Sequence, residues 1–194
     1  MKGEIKLKRN RSSFSAAAVK ERVFFGLLFL LVFLLSATVF PYTGYTGKEA
    51  VRIVPDVLFA LCFVSGIVCK DRRYAALLAL VFGALSDFFL TPPTHLSPIL
   101  FFLSAYFSST AVGIFTSANA VTATVSSLPF FLARSVTGGL FLLVENGNES
   151  CGTIVKSILL PELCVNVAVT FVVYLLVGLI ARKWIYRTGN SRKL

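Results

Sequence analysis

A single charged residue, Asp87, lies in the long apolar stretch from Tyr74 to Phe131. A water-soluble fold needs a charged surface, and this stretch contains almost nothing that could form one. Over the whole chain of 194 residues, 56% are hydrophobic and only 14% are charged. A chain of this length and composition is expected to form one domain inside a lipid bilayer.

The apolar sequence divides into six runs, which are separated by charged residues, proline or turn-forming residues. A bilayer core about 30 Å thick needs about 20 helical residues, which is close to the length of these runs. The predicted spans are Val23–Phe40, Ile53–Cys69, Tyr74–Leu90, Leu96–Phe115, Val121–Val144 and Ile154–Ile180. We therefore predict an all-α integral membrane protein, with a six-helix bundle over residues 23–183 and basic tails at 1–22 and 184–194.

Lysine and arginine placement predicts the orientation, because cytoplasmic loops carry an excess of both. With the N-terminus inside, both basic tails and the loop Lys70–Arg73 lie on the cytoplasmic side, and only Lys48, Arg52 and Lys156 lie outside. Arg134 falls within the fifth span. The net charge of +10 is therefore explained by topology, and nucleic acid is not expected as a partner. Both termini are predicted to be cytoplasmic.

The first apolar run follows a basic tail and ends near Ala37, a pattern that a cleaved signal peptide also shows. The run from Val23 to Phe40 is long for a signal peptide, and the later spans need its orientation, so an uncleaved helix is the favoured interpretation. The basic tail is expected to set the topology and to lie on anionic membrane lipid. Docking of a partner is the alternative role for this tail.

Four ionisable residues lie within the predicted spans, where an unpaired charge costs several kcal/mol. At about 1.5 Å of rise per residue, Asp56 and Asp87 lie near the outer ends of their spans, and Arg134 and Glu162 lie deeper. We therefore expect two polar layers, the deeper one a structural ion pair between Arg134 and Glu162, with a transport site as the alternative. For Asp56, simple capping of a helix that starts after Pro55 is equally favoured.

A stripe of small residues precedes Asp87. Ala75, Ala79, Gly83 and Asp87 follow one another at intervals of four, so they share one face of the third helix. Small residues allow a neighbouring helix to approach closely. Asp87 is therefore predicted to face another helix rather than lipid.

The sixth span contains a proline close to a carboxylate. Pro161 removes one backbone hydrogen bond and is expected to kink the helix next to Glu162. Asn166 follows Glu162 by four residues and shares its polar face.

The cysteines and the single histidine form no recognisable site. The four cysteines include no Cys-x-x-Cys pair, and His95 stands alone in a loop, so neither a metal site nor a disulfide framework is indicated. A Gly-rich phosphate loop, a nucleophile elbow and a paired catalytic set are also missing from the sequence. We therefore expect no enzyme activity, no metal and no cofactor.

Short motifs occur at the start of the second span, late in the third and near the start of the sixth. Pro55-Asp56 is followed by a short basic loop and then by Gly83 and Asp87 in a Gly-x-x-x-Asp pattern, and Leu160-Pro161-Glu162 is followed by Asn166. The first two motifs resemble the bacterial rod shape-determining protein MreD family, and the third is similar to the last span of that family.

The resemblance covers about Arg52 to Lys183 and excludes the basic N-terminal tail. It implies a non-enzymatic scaffold of the cell-elongation complex in the bacterial cell membrane, which supports side-wall peptidoglycan synthesis. The implied partners are an MreC-like protein, an MreB-like actin homologue, a RodA-like glycosyltransferase and a penicillin-binding transpeptidase. The implied fold is similar to the six-helix substrate-binding subunit of energy-coupling-factor transporters.

That fold likeness also suggests an alternative function, the small-molecule (vitamin) binding subunit of an energy-coupling-factor importer. Such subunits carry an Ala-x-x-x-Ala stripe in the first span for docking, whereas Ala37 is the only alanine in this first span. The outer connections are also too short to cover a vitamin. Because one fold can serve different functions, the fold alone does not distinguish the scaffold from the importer subunit. The missing docking stripe and the short outer connections favour the scaffold.

Overall fold

The structure, a computed structural model, describes residues 2–43, 55–89, 96–115, 118–146, 152 and 159–184. Six α-helices lie within these residues: α1 Lys2–Thr43, α2 Val57–Val68, α3 Arg72–Phe89, α4 Ser97–Gly113, α5 Ala120–Asn146 and α6 Leu160–Trp184. The predicted all-α class is therefore confirmed.

The helices differ in length from the predicted spans. α1 continues without a break from the basic tail into the first apolar run, and it ends two residues after Pro41 rather than before it. α2 has only 12 residues because Pro55 and Asp56 precede it and Asp56 occupies its N-cap. α5 has 27 residues and runs beyond Val144 to Asn146. The ends of neighbouring helices therefore cannot all lie at one level.

One described segment, Leu160–Ala181 in α6, is long and apolar enough to cross a membrane. Only 17% of its most apolar stretch is buried, whereas the core helix of a soluble protein would be mostly buried. α2 and α4 are apolar but shorter. This finding supports one crossing, and the six-span arrangement stays a prediction.

α2 lies at the centre of the helices. It packs against α1, α3, α4 and α6, and α3–α4, α4–α5, α5–α6 and α1–α3 pack against each other around it. Every residue from Leu58 to Gly66 is buried. Phenylalanine side chains from several helices fill the core here, among them Phe25, Phe29, Phe59 and Phe101. The N-terminal end of α2 is therefore surrounded by other helices.

The backbones of α2 and α4 approach each other closely at Gly66. A Cβ atom at this position would lie 1.9 Å from the carbonyl oxygen of Ala105 and 2.2 Å from the Ser108 hydroxyl. Such distances are far below van der Waals contact, so only glycine fits here without separating the two helices.

The small-residue stripe of α3 also packs against α4. Ala75, Ala79, Gly83 and Asp87 are all buried. A Cβ at Gly83 would lie 2.9 Å from the Cα atom of Pro98 on α4. The stripe therefore allows α4 to approach α3 and leads towards the position of Asp87.

Most buried hydroxyl groups bond within their own helix. Ser65, Ser104 and Ser108 each donate to the carbonyl three residues earlier, at 2.8, 2.9 and 3.0 Å. Ser126 is different, because it donates across to the Ala111 carbonyl of α4 at 3.3 Å. A serine satisfied by its own helix packs like a small apolar residue, which suits the close helix contacts described above.

Candidate polar site at the start of the second helix

Five polar residues meet at the N-terminal end of α2, and we refer to them as the Arg134 cluster: Asp56, Asp87, Ser97, Arg134 and Asn166. They come from five different helices or helix ends. Four of the five are residues that the sequence had singled out, from segments far apart in the chain.

Asp56 makes three interactions at once. Its Oδ1 accepts from the Phe59 backbone N–H at 3.0 Å and so caps α2. Its own backbone N–H donates to Asn166 Oδ1 of α6 at 2.7 Å. Its Oδ2 forms a salt bridge with Arg134 of α5. Asp56 therefore caps α2 and also takes part in a polar cluster, two roles that were predicted as alternatives; its ion pair with Arg134 was not predicted.

The Arg134 guanidinium is held on several sides. Its Nε donates to Asp56 and its Nη1 donates to the Ser97 hydroxyl at 3.1 Å. The guanidinium carbon also lies 5.4 Å from the ring centre of Phe59 and 4.9 Å from that of Phe101. A guanidinium over aromatic faces gains electrostatic attraction that is strongest where water is excluded. The charge of Arg134 is therefore compensated by one carboxylate, one hydroxyl and two rings.

Asp87 and Ser97 complete the cluster at the start of α4. Leu96 precedes this helix and offers no side chain that could cap it. The Ser97 backbone N–H donates instead to Asp87 Oδ2 of α3 at 3.3 Å. The first N–H groups of a helix have no partner within the helix, and here a neighbouring helix supplies one. Asp87 is thus connected through Ser97 to Arg134.

The predicted ion pair between Arg134 and Glu162 is wrong, because Arg134 pairs with Asp56. Glu162 lies close enough to both residues to interact electrostatically, but within the described residues it forms neither a hydrogen bond nor an ion pair. The prediction assumed that helix ends are level. At 1.5 Å per residue, α2 is about 18 Å long and α5 about 40 Å long. Because Asp56 at the start of α2 pairs with Arg134 near the middle of α5, the start of α2 lies level with the middle of α5. Asp56 and Asp87 of one predicted layer and Arg134 of the other therefore lie in one cluster, to which Glu162 does not bond.

Ser97 and the phenylalanine rings were missed by the sequence analysis. Ser97 is followed by Pro98, and serine with proline at a helix start is a recognisable signal, so Ser97 could have been found. Phe59 and Phe101 are ordinary apolar residues in apolar runs, and nothing in the sequence distinguishes them from other core residues.

Pro55 and Pro161 both lie at helix starts. Pro55 directly precedes the N-cap of α2, as the sequence predicted. Pro161 lies in the first turn of the described α6. The predicted kink depends on residues 153–158, which lie outside the described residues, as do His95, Cys151 and the tail from residue 185.

A second set of polar contacts joins α1 to the loop between α2 and α3. Arg22 forms a salt bridge with Asp71 at 2.8 Å and lies over the Tyr74 ring at 5.6 Å. The buried Glu21 accepts from the Lys70 backbone N–H at 2.6 Å. The Arg22 guanidinium holds the pKa of the Asp71 carboxyl below its usual range. We call these five residues the α1 clamp; its basic residues contributed to the predicted topology, but no contact between them was predicted.

Comparison with protein-family models, with characterised proteins and with solved structures found no match to this chain. Among the residues that the structure describes, no group of three or more His, Cys, Asp or Glu side chains could hold a metal ion. Chemically, the Arg134 cluster connects five helices by charge and hydrogen bonds at a largely buried position.

Proposed function

We propose that this protein is a six-span protein of the bacterial cell membrane, with both termini cytoplasmic, that serves as a scaffold of the cell-elongation complex. In this role it would support side-wall peptidoglycan synthesis beside MreC-like, MreB-like, RodA-like and transpeptidase partners. The observation that carries the proposal is the Arg134 cluster. The segments on which the MreD resemblance rests, Pro55-Asp56, Gly83 to Asp87 and Leu160 to Asn166, contribute residues to this one place.

The distribution of polar and apolar side chains supports the membrane part of the proposal. Large apolar side chains are exposed on the outer faces of several helices: Leu27, Leu31, Leu77, Val81, Leu132, Leu140, Leu176 and Leu179. Polar side chains are buried among the helices: Ser65, Ser104, Ser108, Ser127, Asn166 and Thr170. Lipid-facing helices require large apolar side chains on their outer faces, whereas a soluble protein covers most of its helix surface with polar and charged side chains.

The contacts among the motif residues support the scaffold part of the proposal. Asp56 contacts Asn166 directly, and Asp87 reaches Arg134 through Ser97. A site that satisfies its own charges by contacts between helices holds the helices in one arrangement. Such an arrangement suits a protein that presents fixed helix faces to partners.

The topology can be tested with a membrane-impermeant maleimide on intact cells. We expect Cys151 to be labelled from outside, because the loop before the sixth span is predicted to be external. A Ser12→Cys variant on a Cys151→Ser background should stay unlabelled until the membrane is permeabilised. External labelling at position 12 in intact cells would exclude the arrangement with six spans and both termini inside.

The function can be tested by purification from gentle detergent followed by mass spectrometry, together with rescue of cell shape in a strain that lacks the gene. The scaffold predicts wall-synthesis proteins in the purified complex and restored rod shape. An Arg134→Ala/Asp56→Ala variant provides a matched sample in which the cluster is removed. Recovery of an ATPase pair and a bound vitamin would refute the scaffold and support the importer subunit.

A further inference from the structure

α1 is much longer than a membrane crossing. Its 42 residues form one uninterrupted helix, which at about 1.5 Å per residue is about 63 Å long. The part from Val23 to Thr43 accounts for about 31 Å, enough for the hydrocarbon core. If the chain is placed in the membrane as proposed above, on which this inference rests, residues 2–22 continue the helix into the cytoplasm.

The α1 clamp fixes the base of this extension. Arg22 is tied to Asp71 and Tyr74, and Glu21 is tied to the Lys70 backbone, so the helix leaves the bundle at a defined point. Measured from Glu21 along the axis, Arg11 lies about 15 Å away and Lys2 about 28 Å away.

These distances separate most of the basic charge from the lipid surface. Attraction to anionic lipid falls off within a Debye length, about 8 Å at physiological ionic strength. Even with a tilt of about 40°, the upper end of the range for membrane helices, Lys6 would stand about 17 Å above Glu21 and so about 10 Å beyond a headgroup layer about 5–7 Å thick. The geometry therefore disfavours the expected position of the basic tail on anionic lipid and favours the alternative, docking of a partner.

We propose that residues 2–20 form a docking helix for a cytoplasmic protein with an apolar groove edged by acidic residues. Six of these residues are basic and Glu4 is the only acidic one: the basic ones are Lys2, Lys6, Lys8, Arg9, Arg11 and Lys20. Leu7 and Phe14 are seven residues apart, so they share one face of the helix. A helix with apolar anchors two turns apart is a common ligand of protein grooves. Nucleic acid would use the basic residues without needing these anchors.

The direction of the extension can be tested with the full chain in nanodiscs, with all native cysteines replaced by alanine. A dye at Gly3→Cys and an acceptor on lipid headgroups report its height above the bilayer. We expect about 15–21 Å above the headgroups both in neutral phosphatidylcholine and with 30% phosphatidylglycerol added. A height near zero that depends on phosphatidylglycerol would overturn the proposal in favour of lipid binding.

The partner can be tested by photo-crosslinking in cells from a benzoylphenylalanine placed at Phe14. Ser12 lies on the opposite side of the helix and provides the control position. We expect a protein product from position 14, at least tenfold weaker from position 12, and at least tenfold weaker after Lys6→Glu/Arg9→Glu. Basic substitutions in the acidic segment of the crosslinked protein should restore the product with this variant.

Three outcomes would overturn the docking helix: a crosslink to lipid, a crosslink to nucleic acid, or a protein product that is insensitive to charge reversal and to position. Topology labelling of the charge-reversed variant checks that it is still inserted correctly. Failure of the docking helix with normal topology and normal rescue of cell shape would leave the scaffold proposal intact.

Discussion

Removing the charge of Asp56 should destabilise the helix bundle and leave Arg134 without its counter-ion. Asp56→Asn is the informative change, because asparagine still caps a helix as well as aspartate does. It therefore removes the salt bridge while keeping the hydrogen bond to the Phe59 N–H. Arg134→Gln removes the cation from the other side of the pair. Both side chains are largely buried, with 15% of Asp56 and 17% of Arg134 exposed.

The burial of the pair sets the expected magnitude. Breaking a fully buried ion pair by removing one partner costs about 3–5 kcal/mol, and an exposed pair is worth less than about 1 kcal/mol. For this mostly buried pair we expect each single substitution to lower the free energy of unfolding by about 2–4 kcal/mol. The coupling energy from the double-mutant cycle should be about 1.5–3 kcal/mol. Asp56→Ala should cost about 1 kcal/mol more than Asp56→Asn, because the cap is lost as well.

The free energies can be measured by reversible unfolding in mixed micelles, followed by circular dichroism. Glu162→Gln is the matched control, because it removes a carboxylate that lies near Arg134 without bonding to it. The coupling between Glu162 and Arg134 should be less than half of that between Asp56 and Arg134. A larger coupling to Glu162 would show that the pairing expected from the sequence is correct and that the geometry described for Asp56 is not.

Two further predictions concern helix packing and pH. Gly66→Ala should destabilise the protein by about 3 kcal/mol or more, because the added Cβ would collide with the α4 backbone. Gly178→Ala is the control: nothing lies within 4 Å of a Cβ there, so the change should be neutral or stabilise by up to about 1 kcal/mol. Equal stability of the two variants in the same unfolding assay would contradict the close approach. The Asp71 carboxyl has a lowered pKa in the folded protein, so its contribution is present above its unfolded pKa near 4 and is lost as the pH falls through the folded value. Because 41% of the Asp71 side chain is exposed, the loss in free energy of unfolding should be below about 0.5 kcal/mol. Unfolding measured as a function of acid pH should show this loss in the native chain and not in Asp71→Asn.

Hydrophobic runs were sufficient to predict the helices but not their relative heights. Each run had one dominant signal, a long apolar stretch with very few charged residues, and a helix was found in each. The height of α2 depends on Pro55 and Asp56, which start it late and make it short. A sequence shows that a helix can start there, but it does not show how far its neighbours extend beyond that start.

The partner of Arg134 could not be predicted for the same reason. Depth along separate helices places Glu162 as close to Arg134 as any other carboxylate, whereas the actual choice depends on which helix faces which. The central position of α2 brings Asp56 to Arg134, and it follows from tight contacts such as that of Gly66 with α4. Contacts between residues far apart in sequence leave no periodic pattern in a single chain. The small-residue stripe ending at Asp87 is the exception, because its spacing lies within one helix.

The central position of α2 has a consequence for the order in which the chain is completed during synthesis. α2 is made second, but three of the four helices that enclose it, α3, α4 and α6, follow it on the ribosome. Asp56 is made 78 residues before Arg134 and 110 residues before Asn166. The newly made N-terminal half therefore carries an unpaired carboxylate until α5 arrives, and it keeps an uncovered side of α2 until α6 arrives. Truncated chains that stop before α5 should accordingly depend on an insertase or chaperone that holds α2, and they should be degraded when that factor is removed.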